Sequence, residues 1–359
     1  MSKIEIYGTI GPACAEQKIL EEMFCLGMTG IRLNLSHVEL EECREWTKMI
    51  QAASNAAGIQ PKLLIDLQGP ELRIGNLKRP LELAEGKTVI LKSKEAFSPM
   101  EGQPLEASRG KTGVFYHSEN SDAEEIPLPE VVIASLQTGQ EILLDDGKIH
   151  LVVIKVTGND VGCQVIRGGV LQSRKSVALP GVAINLPVLT DSDRRNIRRA
   201  KDHGVTGVML PFVRSAEDIK ELRQELYRAD AESLEIFAKI ENMDGVEHLE
   251  ELLPFADQIV IARGDLGNSM PLWKLPTIQA RIAKTCQKAG KPFMVVTQML
   301  ASMEKHPVPT RAEMSDIFLA VLEGAASVMV TGETAVGKYP QEVIRYLSNG
   351  VKAANDEKI

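Results

Sequence analysis

The feature that most constrains this chain is a repeated alternation of short apolar runs with amphipathic stretches. Each run has the length and composition of a buried strand, and each following stretch has the period of a helix. The eight runs are KIEIYGTIG, GIRLNLS, KLLIDLQG, GVTGVMLPF, LEIFAKIE, DQIVIARG, PFMVVTQ and ASVMVTGE. Eight such pairs predict an α/β fold, a (β/α)8 barrel of parallel strands. A doubly wound open sheet is the alternative, because the number of strands does not establish closure.

The alternation is interrupted after the third apolar run. From residue 76 to residue 174 the sequence holds β-like pieces and no long helical period, and Asp146-Gly147 is typical of a hairpin turn. We therefore predict a barrel domain of residues 1–75 and 175–359, with an inserted all-β lid domain of residues 76–174. The lid follows the third strand, so we expect it over the carboxyl ends of the strands, where barrel enzymes place their active sites.

Charge and cysteine content limit the partners and the compartment. The 359 residues include 41 Lys and Arg against 49 Asp and Glu, a net charge of -8. This balance argues against nucleic acid or an anionic membrane as a partner. Five widely spaced cysteines lack the paired spacing of a metal or redox site, so we expect reduced thiols. No apolar run approaches the ~20 residues that span a bilayer, and the N-terminus lacks a signal-peptide pattern. A cytoplasmic protein is expected.

The fifth apolar run, EIFAKIEN, carries two charges inside a strand pattern. Lys239 and Glu241 share one face of the strand, because side chains alternate with period two. Burying an ammonium group and a carboxylate is costly unless they are paired, hydrogen-bonded or facing a ligand. The two side chains therefore form an internal ion pair or belong to a site at the mouth of the barrel.

Polar side chains also stand at the ends of other predicted strands. They are Arg32, Asn34, Ser36, His37, Asp66, Arg73, Arg263, Asp265, Thr297, Gln298, Thr331 and Glu333. The carboxyl ends of parallel strands meet at one mouth of a barrel, so these groups are expected to converge. Structural alternatives remain at single positions: Arg32 could pair with Asp66, and Thr297 could be an ordinary strand residue.

The chemistry of this set favours phosphate and a divalent metal as ligands. Glu241 and Asp265 offer hard oxygen donors suited to Mg²⁺, which usually takes only one or two protein carboxylates. Arg32 and Lys239 could bind a phosphoryl group and offset the charge that develops during its transfer. Three further oxygen donors could form a second cation site, those of Asn34, Ser36 and Asp66.

At these residues the chain resembles pyruvate kinase. The matching stretches, in the family's order, are GTIGPA (8–13), GIRLNLSH (30–37), IDLQGPELRIG (65–75), LLDDG (143–147), LPGVAINLP (179–187), FVRSAEDI (212–219), AKIEN (238–242), ARGDLG (262–267), AGKPFMVVTQML (289–300), PTRAEMSD (309–316) and TGETAVGKYP (331–340). The resemblance implies a glycolytic phosphotransferase that moves the phosphoryl group of phosphoenolpyruvate to ADP, giving pyruvate and ATP. It also implies Mg²⁺ and K⁺ as cofactors.

The resemblance assigns roles to individual residues. Lys239 matches the lysine that stabilises the transferring group and the enolate, Arg32 a phosphate-binding arginine, and Thr297 a residue associated with protonation. The backbone of Gly264 and Asp265 matches the site of the substrate carboxylate, beside Arg32, Lys239 and Thr297. The implied ligands are Glu241 and Asp265 for Mg²⁺, Asn34, Ser36, Asp66 and the Leu67 carbonyl for K⁺, and Asn34, His37, Arg73 and Lys175 for the nucleotide.

Three further expectations follow from the resemblance. Glu71 implies K⁺ dependence, since a lysine at this position could replace the monovalent cation and a carboxylate cannot. The chain stops at Ile359, before the family's usual C-terminal effector domain, so we expect a short form without regulation by sugar phosphates. A homodimer through barrel surfaces is the expected assembly. Leu67-Gln68 replaces the usual Thr-Lys, a departure that removes no matched ligand.

Two other functions stay open from the sequence. An oxo-acid decarboxylase or aldolase on the same barrel would keep Lys239, Glu241 and Asp265, but it would not need Arg73 or Lys175 for ADP. A non-catalytic homologue that binds metabolites is the second alternative. Fold alone does not decide among them, because this barrel carries many reactions.

Overall fold

Two compact units make up the chain. The computed structural model describes residues 4–36, 38–93, 124–158, 160–182, 184 and 186–357. One unit, the barrel unit, comprises Met1–Pro70 and Leu186–Ile359, and the other, the inserted unit, comprises Glu71–Asn185. Each has its own core of buried apolar side chains.

The described residues form strands and α-helices in regular succession. The strands are β1 (Glu5–Thr9), β2 (Gly30–Asn34), β3 (Lys62–Asp66), β4 (Leu81–Leu83), β5 (Thr88–Ser93), β6 (Glu124–Leu128), β7 (Glu141–Leu144), β8 (Ile149–Thr157), β9 (Asp160–Arg167), β10 (Gly169–Leu171), β11 (Val177–Ala178), β12 (Gly207–Leu210), β13 (Glu235–Ile240), β14 (Gln258–Ala262), β15 (Phe293–Val296) and β16 (Ser327–Met329). The helices are α1 (Gln17–Cys25), α2 (Arg44–Ala57), α3 (Glu130–Ser135), α4 (Asp191–Arg199), α5 (Ala216–Arg228), α6 (Met243–Glu247), α7 (Leu249–Leu252), α8 (Arg263–Asn268), α9 (Leu275–Lys288), α10 (Arg311–Leu322), α11 (Gly332–Ala335) and α12 (Pro340–Asp356). Within the described ranges, none of these helices has the length and hydropathy needed to cross a membrane.

Eight strands of the barrel unit close into a parallel barrel. Their order around the barrel is β1, β16, β15, β14, β13, β12, β3 and β2. Every neighbouring pair is parallel, and β1 pairs with both β16 and β2, which closes the sheet. The predicted (β/α)8 barrel is thus confirmed, and the open-sheet alternative is wrong. The predicted helix after the fifth barrel strand is divided into α6 and α7.

The barrel interior is filled by a layer of large apolar side chains. Its members are Tyr7, Leu64, Met209, Phe237, Val260, Ala262, Met294, Val296 and Met329. Two glycines make room for the rings: a Cβ at Gly30 would lie 2.2 Å from Cε1 of Tyr7, and one at Gly207 would lie 2.8 Å from Cε2 of Phe237. Lys239 follows Phe237 on the same strand, so the polar site lies beyond this layer towards the carboxyl ends of the strands.

An ion-pair cluster lies where the barrel strands begin. Lys62 Nζ is 3.3 Å from Glu5 Oε1 and 2.9 Å from Glu235 Oε2. The Tyr7 hydroxyl donates to Glu5 Oε2 at 2.7 Å. The amino-terminal face of such a barrel contributes to stability and not to catalysis. Substitutions in this cluster can therefore serve as controls for substitutions at the carboxyl ends of the strands.

Capping residues explain where several helices begin. Three helices begin with a capping box, at Thr190, Ser215 and Thr310. In each, the hydroxyl of the capping residue accepts from the backbone N–H of the third helical residue, and the acidic side chain of that residue accepts from the backbone N–H of the capping residue. Such capping boxes satisfy backbone donors that a helix start would leave unpaired. Helix α2 ends at Gly58, whose φ of 68° is readily adopted by glycine.

The inserted unit is mostly β-sheet. One sheet has the order β11, β7, β8, β9, β5 and β6, and a second consists of β10 and β4. The predicted hairpin is present: β7 and β8 are antiparallel, and the turn residues Asp145, Asp146 and Gly147 have φ of 49°, 55° and 79°. The unit also contains the six-residue helix α3. The expectation of an inserted β domain is confirmed, since the unit is mostly sheet.

Candidate active site

Lys239 lies inside the barrel because of the two-residue period of β13. Ile236, Ala238 and Ile240 are buried between the sheet and the helices. Phe237 points the other way, into the interior layer. Lys239 follows Phe237 on that inner face, one step nearer the carboxyl end of the strand. Its side chain is only 13% exposed, so its charge requires partners.

Four charged side chains form one contact network at this end of the barrel. Arg32 donates from Nε and Nη2 to Asp66 Oδ2, at 2.8 and 2.6 Å. Lys239 Nζ donates to both oxygens of Asp66, at 3.1 and 3.2 Å. Lys239 Nζ also lies 2.9 Å from Glu241 Oε1. Both ion pairs that the sequence left open, Arg32–Asp66 and Lys239–Glu241, are therefore formed, and the contact between Lys239 and Asp66 joins them.

The electrostatics of the network keep Asp66 and Lys239 charged near neutral pH. Burial alone would raise the pKa of Asp66, but Lys239 and Arg32 hold that pKa below its ordinary value. Burial alone would lower the pKa of Lys239, but Asp66 and Glu241 hold that pKa above its ordinary value. Two cations balance two anions, so an anionic ligand could replace part of this pairing without leaving a buried charge unpaired.

The ends of β2 and β3 bring several oxygen donors together. Asn34 and Asp66 are direct cross-strand neighbours. Asn34 Oδ1 accepts from the Ser36 hydroxyl at 3.0 Å and from its backbone N–H at 3.3 Å. Leu67 is buried, and its N–H donates to the Met209 carbonyl at 3.2 Å. Amide, hydroxyl and carboxylate oxygens of this kind suit a cation.

Thr297 lies against the start of α8. It comes directly after β15, with a left-handed φ of 79°, so it is not an ordinary strand residue. A Cβ at Gly264 would lie 3.2 Å from Thr297 Cγ2 and 3.7 Å from its Oγ1. Asp265 follows in the first turn of α8. The hydroxyl of Thr297 and the Gly264 backbone are thus close neighbours at the ends of adjacent strands.

Hydrogen bonds from backbone N–H groups to buried carboxylates hold the loops around the network, and the sequence did not predict these contacts. The Phe212 N–H donates to Glu241 Oε2 at 2.8 Å, from a residue with φ of 53°. Buried Asp193 accepts from the N–H groups of Gln68 and Gly69 at 2.8 and 3.1 Å. The signal for Asp193 was its place three residues after Thr190, in a capping box. Its contact to the distant loop had no sequence signal.

Comparison with known proteins decides the family. The family model described as pyruvate kinase, barrel domain, matches residues 1–344. The chain belongs to the pyruvate kinase family. The resemblance seen in the sequence is thereby confirmed.

Curated pyruvate kinases of bacteria are similar along nearly the whole chain. The pyruvate kinase of Staphylococcus haemolyticus is 37% identical over 364 residues, covering 100% of this chain and 58% of that protein. The pyruvate kinase of Geobacillus stearothermophilus is 38% identical over 346 residues, covering 96% of this chain and 55% of that protein. That of Staphylococcus aureus strain MRSA252 is 36% identical over 364 residues. The chain therefore spans a little more than half the length of these relatives.

The remaining pyruvate kinase motif residues are placed as follows. Arg73 and Lys175 belong to the inserted unit, where Arg73 Nη2 lies 2.8 Å from Glu71 Oε2 and Lys175 Nζ lies 2.8 Å from Asp145 Oδ1. The Arg73 Nη1 group also donates to the Arg174 carbonyl at 2.7 Å. His37 lies outside the described residues.

Few carboxylates in the described part of the chain are placed to bind a metal. The described residues contain no group of three or more His, Cys, Asp or Glu side chains arranged around one metal position. Glu241 and Asp265 follow the neighbouring strands β13 and β14. A Mg²⁺ site does not need a group of three, because Mg²⁺ usually takes only one or two protein carboxylates and fills its other positions with water or substrate oxygens.

Proposed function

We propose that this protein transfers the phosphoryl group of phosphoenolpyruvate to ADP, forming pyruvate and ATP. The observation that carries the proposal is the placement of two cations, Arg32 and Lys239, on one buried carboxylate at the carboxyl end of the barrel. A phosphoryl group in transfer carries concentrated negative charge, which fixed cations stabilise. Membership of the pyruvate kinase family supports the same reaction.

Lys239 acts as a fixed charge in this proposal. The bond between phosphorus and the enol oxygen breaks while an oxygen of the ADP β-phosphate forms a new bond to phosphorus. The enolate left behind then takes up a proton at C3 to become pyruvate. Although burial alone would lower the pKa of Lys239, Asp66 and Glu241 keep that pKa above its ordinary value. The ammonium group therefore stabilises the phosphoryl group and the enolate without giving up its proton.

Two cations complete the proposed site. Glu241 and Asp265 would hold Mg²⁺, which supplies positive charge to the phosphoryl and enolate oxygens when bound. Glu241 Oε1 lies 2.9 Å from Lys239 Nζ, so one proposed Mg²⁺ ligand adjoins the lysine proposed to stabilise the phosphoryl group. The proposed K⁺ ligands are the oxygens of Asn34, Ser36, Asp66 and the Leu67 carbonyl. Among the described residues, the one donor to Asp66 Oδ1 is Lys239 Nζ, so lone-pair capacity remains for a cation.

The remaining motif residues would bind the organic parts of the substrates. The backbone of Gly264 and Asp265 would bind the carboxylate of phosphoenolpyruvate, beside the Thr297 hydroxyl that would deliver the proton to C3. The proposed contacts of the nucleotide are Asn34, His37, Arg73 and Lys175. These roles rest on motif matches with the family.

A coupled assay of pyruvate formation tests the proposed reaction. Wild type should form pyruvate from phosphoenolpyruvate only when ADP and Mg²⁺ are present, and Lys239→Met should lose most of the rate. Lys62→Met is the matched control, because Lys62 is also a barrel lysine paired with Glu235, at the opposite end. It should keep the wild-type rate. Pyruvate formed without ADP would favour the decarboxylase or aldolase alternative, and ligand binding without turnover would favour a non-catalytic homologue.

We also propose a homodimer through a barrel surface. Helix α10 leaves Phe318, Leu319 and Leu322 exposed to 39, 45 and 44%. Adjacent exposed apolar groups of this kind favour association. Sedimentation velocity should give a dimer for wild type and a monomer for the Phe318→Ser, Leu322→Ser double variant. A monomeric wild type would refute this assembly.

We place the protein in the cytoplasm. Its five free cysteines support a reducing compartment, and the proposed substrates are metabolites of glycolysis. Fractionation of cells should recover the protein with cytoplasmic markers, and recovery with an exported fraction would contradict the proposal.

A further inference from the structure

The backbone of Thr297 has a conformation that a threonine seldom adopts. Its φ of 79° is left-handed, and Gln298 follows with φ of 56°. A β-branched side chain is strongly disfavoured in this region, because its Cβ substituents crowd the backbone. Such a conformation persists only where surrounding contacts determine it. The contacts that hold Thr297 therefore bear on the placement of its hydroxyl.

Arg263 is the side chain that holds this backbone. Its Nε and Nη2 groups donate to the Thr297 carbonyl at 3.2 and 2.7 Å. Its Nη1 group donates to Asp316 at 2.8 Å, and the Arg263 side chain is only 11% exposed. The planar guanidinium thus joins a strained peptide on one side to a carboxylate of α10 on the other, a geometry that a lysine cannot reproduce.

The position of Arg263 in the chain links this contact to the substrate side of the site. Arg263 is the first residue of α8, and Gly264 is the next. The Thr297 side chain packs on Gly264, with Cγ2 3.2 Å from the position of a Cβ there. Arg263 therefore has two links to this site. Its side chain binds the Thr297 carbonyl, and its backbone is joined to Gly264, on which the Thr297 side chain packs. A change in its side chain should move the hydroxyl relative to that peptide.

We infer that Arg263 is a positioning residue for protonation of the enolate, and that Asp316 orients its guanidinium. This inference rests on the proposed function. In the step concerned, the Thr297 O–H bond breaks as a C–H bond forms at C3 of the enolate, and the hydroxyl regains a proton from solvent. Arg263 touches no reacting atom in this step. It acts by holding the threonine in the strained conformation that aims its hydroxyl.

The main test measures proton transfer separately from substrate binding. In Arg263→Lys we expect the exchange of pyruvate methyl hydrogens with D₂O, followed by NMR in the presence of ATP and Mg²⁺, to fall about tenfold or more. The KM for phosphoenolpyruvate should stay within about twofold of wild type, because Arg32 and Lys239 are intact. Asp316→Asn should show a smaller loss of the same kind. Exchange at the wild-type rate in Arg263→Lys would overturn the inference.

A double-variant cycle shows whether Arg263 acts through Thr297. If it does, Arg263→Lys combined with Thr297→Ala should exchange no more slowly than Thr297→Ala alone. Independent, multiplying losses would mean a merely structural role and would overturn the inference. Arg223→Lys is the matched control, since Arg223 also joins a carbonyl, of Phe255, to an aspartate, Asp257, but on the outer surface. It should leave exchange unchanged.

The outcomes separate this inference from the proposed function. A wild type that neither forms pyruvate nor exchanges its methyl hydrogens would refute the proposed function. A wild type that does both, with Arg263→Lys unimpaired in exchange, would refute the role of Arg263 alone. Thermal melting of each variant shows that the loss is measured on folded protein.

Discussion

Lys239 donates to both carboxylate oxygens of Asp66, with Nζ 3.1 Å from Oδ1 and 3.2 Å from Oδ2. Arg32 donates twice to the same carboxylate. The Asp66 side chain is only 3% exposed, so one buried anion holds two cations that would otherwise repel each other. The placement of both cations proposed to bind the phosphoryl group therefore depends on a residue that need not touch that group.

Asp66→Asn should destabilise the protein strongly. The amide keeps the shape of the carboxylate but removes its charge, leaving Arg32 and Lys239 close together without the anion that they share. Removing one partner of a buried ion pair costs about 3 to 5 kcal/mol. Urea unfolding followed by circular dichroism should show a loss in the free energy of unfolding of this order.

An exposed aspartate provides the matched control for this substitution. Asp202 lies 3.9 Å from Arg199 Nη1, and its side chain is 59% exposed. Water and salt screen such a pair, so Asp202→Asn should leave the unfolding midpoint unchanged. Equal effects of the two substitutions would contradict the view that burial gives the Asp66 network its strength.

The stabilisation by Asp66 should disappear in acid. The pKa of Asp66 is lower in the folded protein, because Lys239 and Arg32 outweigh the effect of burial. A depressed pKa stabilises the folded state above the unfolded pKa of about 3.9, and the stabilisation is lost as pH falls towards the folded pKa. The difference in unfolding free energy between wild type and Asp66→Asn should be constant from pH 7 to 5 and shrink below about pH 4. A difference that shrinks already between pH 7 and 5 would assign the effect to another group.

The fold could be predicted from the sequence because it depends on patterns that repeat. The two-residue period that places Phe237 and Lys239 on one face is local, and it is the same period that buries Ile236 on the other. Eight repeats of strand and helix sufficed for the barrel. The helix α3 was missed because six residues are too few to show a helical period.

The candidate site could be predicted as a set of residues but not as a set of contacts. Strand ends converge by topology, so Arg32, Asp66, Lys239 and Glu241 were expected together. The sharing of Asp66 by two cations depends on side-chain reach across the barrel, for which a linear sequence has no signal. The Phe212 N–H that donates to Glu241 depends on a left-handed backbone at Phe212, which its residue type does not favour.

Alkylation should modify one cysteine of the native protein. The cysteines at 14, 43, 163 and 286 are buried, and Cys25 is exposed. Burial raises the pKa of Cys14 to about 11 and that of Cys286 to about 12, so these thiols carry little thiolate at pH 8. Iodoacetamide at pH 8, followed by peptide mass spectrometry, should label Cys25 alone, and all five cysteines after unfolding in urea. Rapid native labelling of Cys286 would contradict its burial within α9.

The proposed reaction should require K⁺. Position 71 holds a glutamate, whose Oε2 lies 2.8 Å from Arg73 Nη2. A lysine at this position could replace the monovalent cation with its ammonium group, but a carboxylate cannot. Replacing KCl by tetramethylammonium chloride at equal ionic strength should lower the rate of pyruvate formation about tenfold or more. Glu71→Lys should recover part of that rate without K⁺, whereas Glu82→Lys, at an exposed position of β4, should not. An unchanged wild-type rate in tetramethylammonium would refute the requirement.

Glu241→Gln should weaken divalent metal binding while the barrel stays folded. Glu241 Oε1 faces Lys239 and Oε2 accepts from the Phe212 N–H at 2.8 Å, so a glutamine can keep one acceptor contact but loses the charge that a metal requires. Outer-shell changes alone cost about 10 to 100-fold in metal affinity, so loss of a direct ligand should raise the Kd for Mn²⁺ by at least about tenfold. Electron paramagnetic resonance of free Mn²⁺ measures this Kd without turnover. Glu235→Gln, on the same strand at the opposite end of the barrel and paired with Lys62, is the matched control and should bind Mn²⁺ as wild type does. Equal affinity in Glu241→Gln and wild type would show that the metal is held elsewhere.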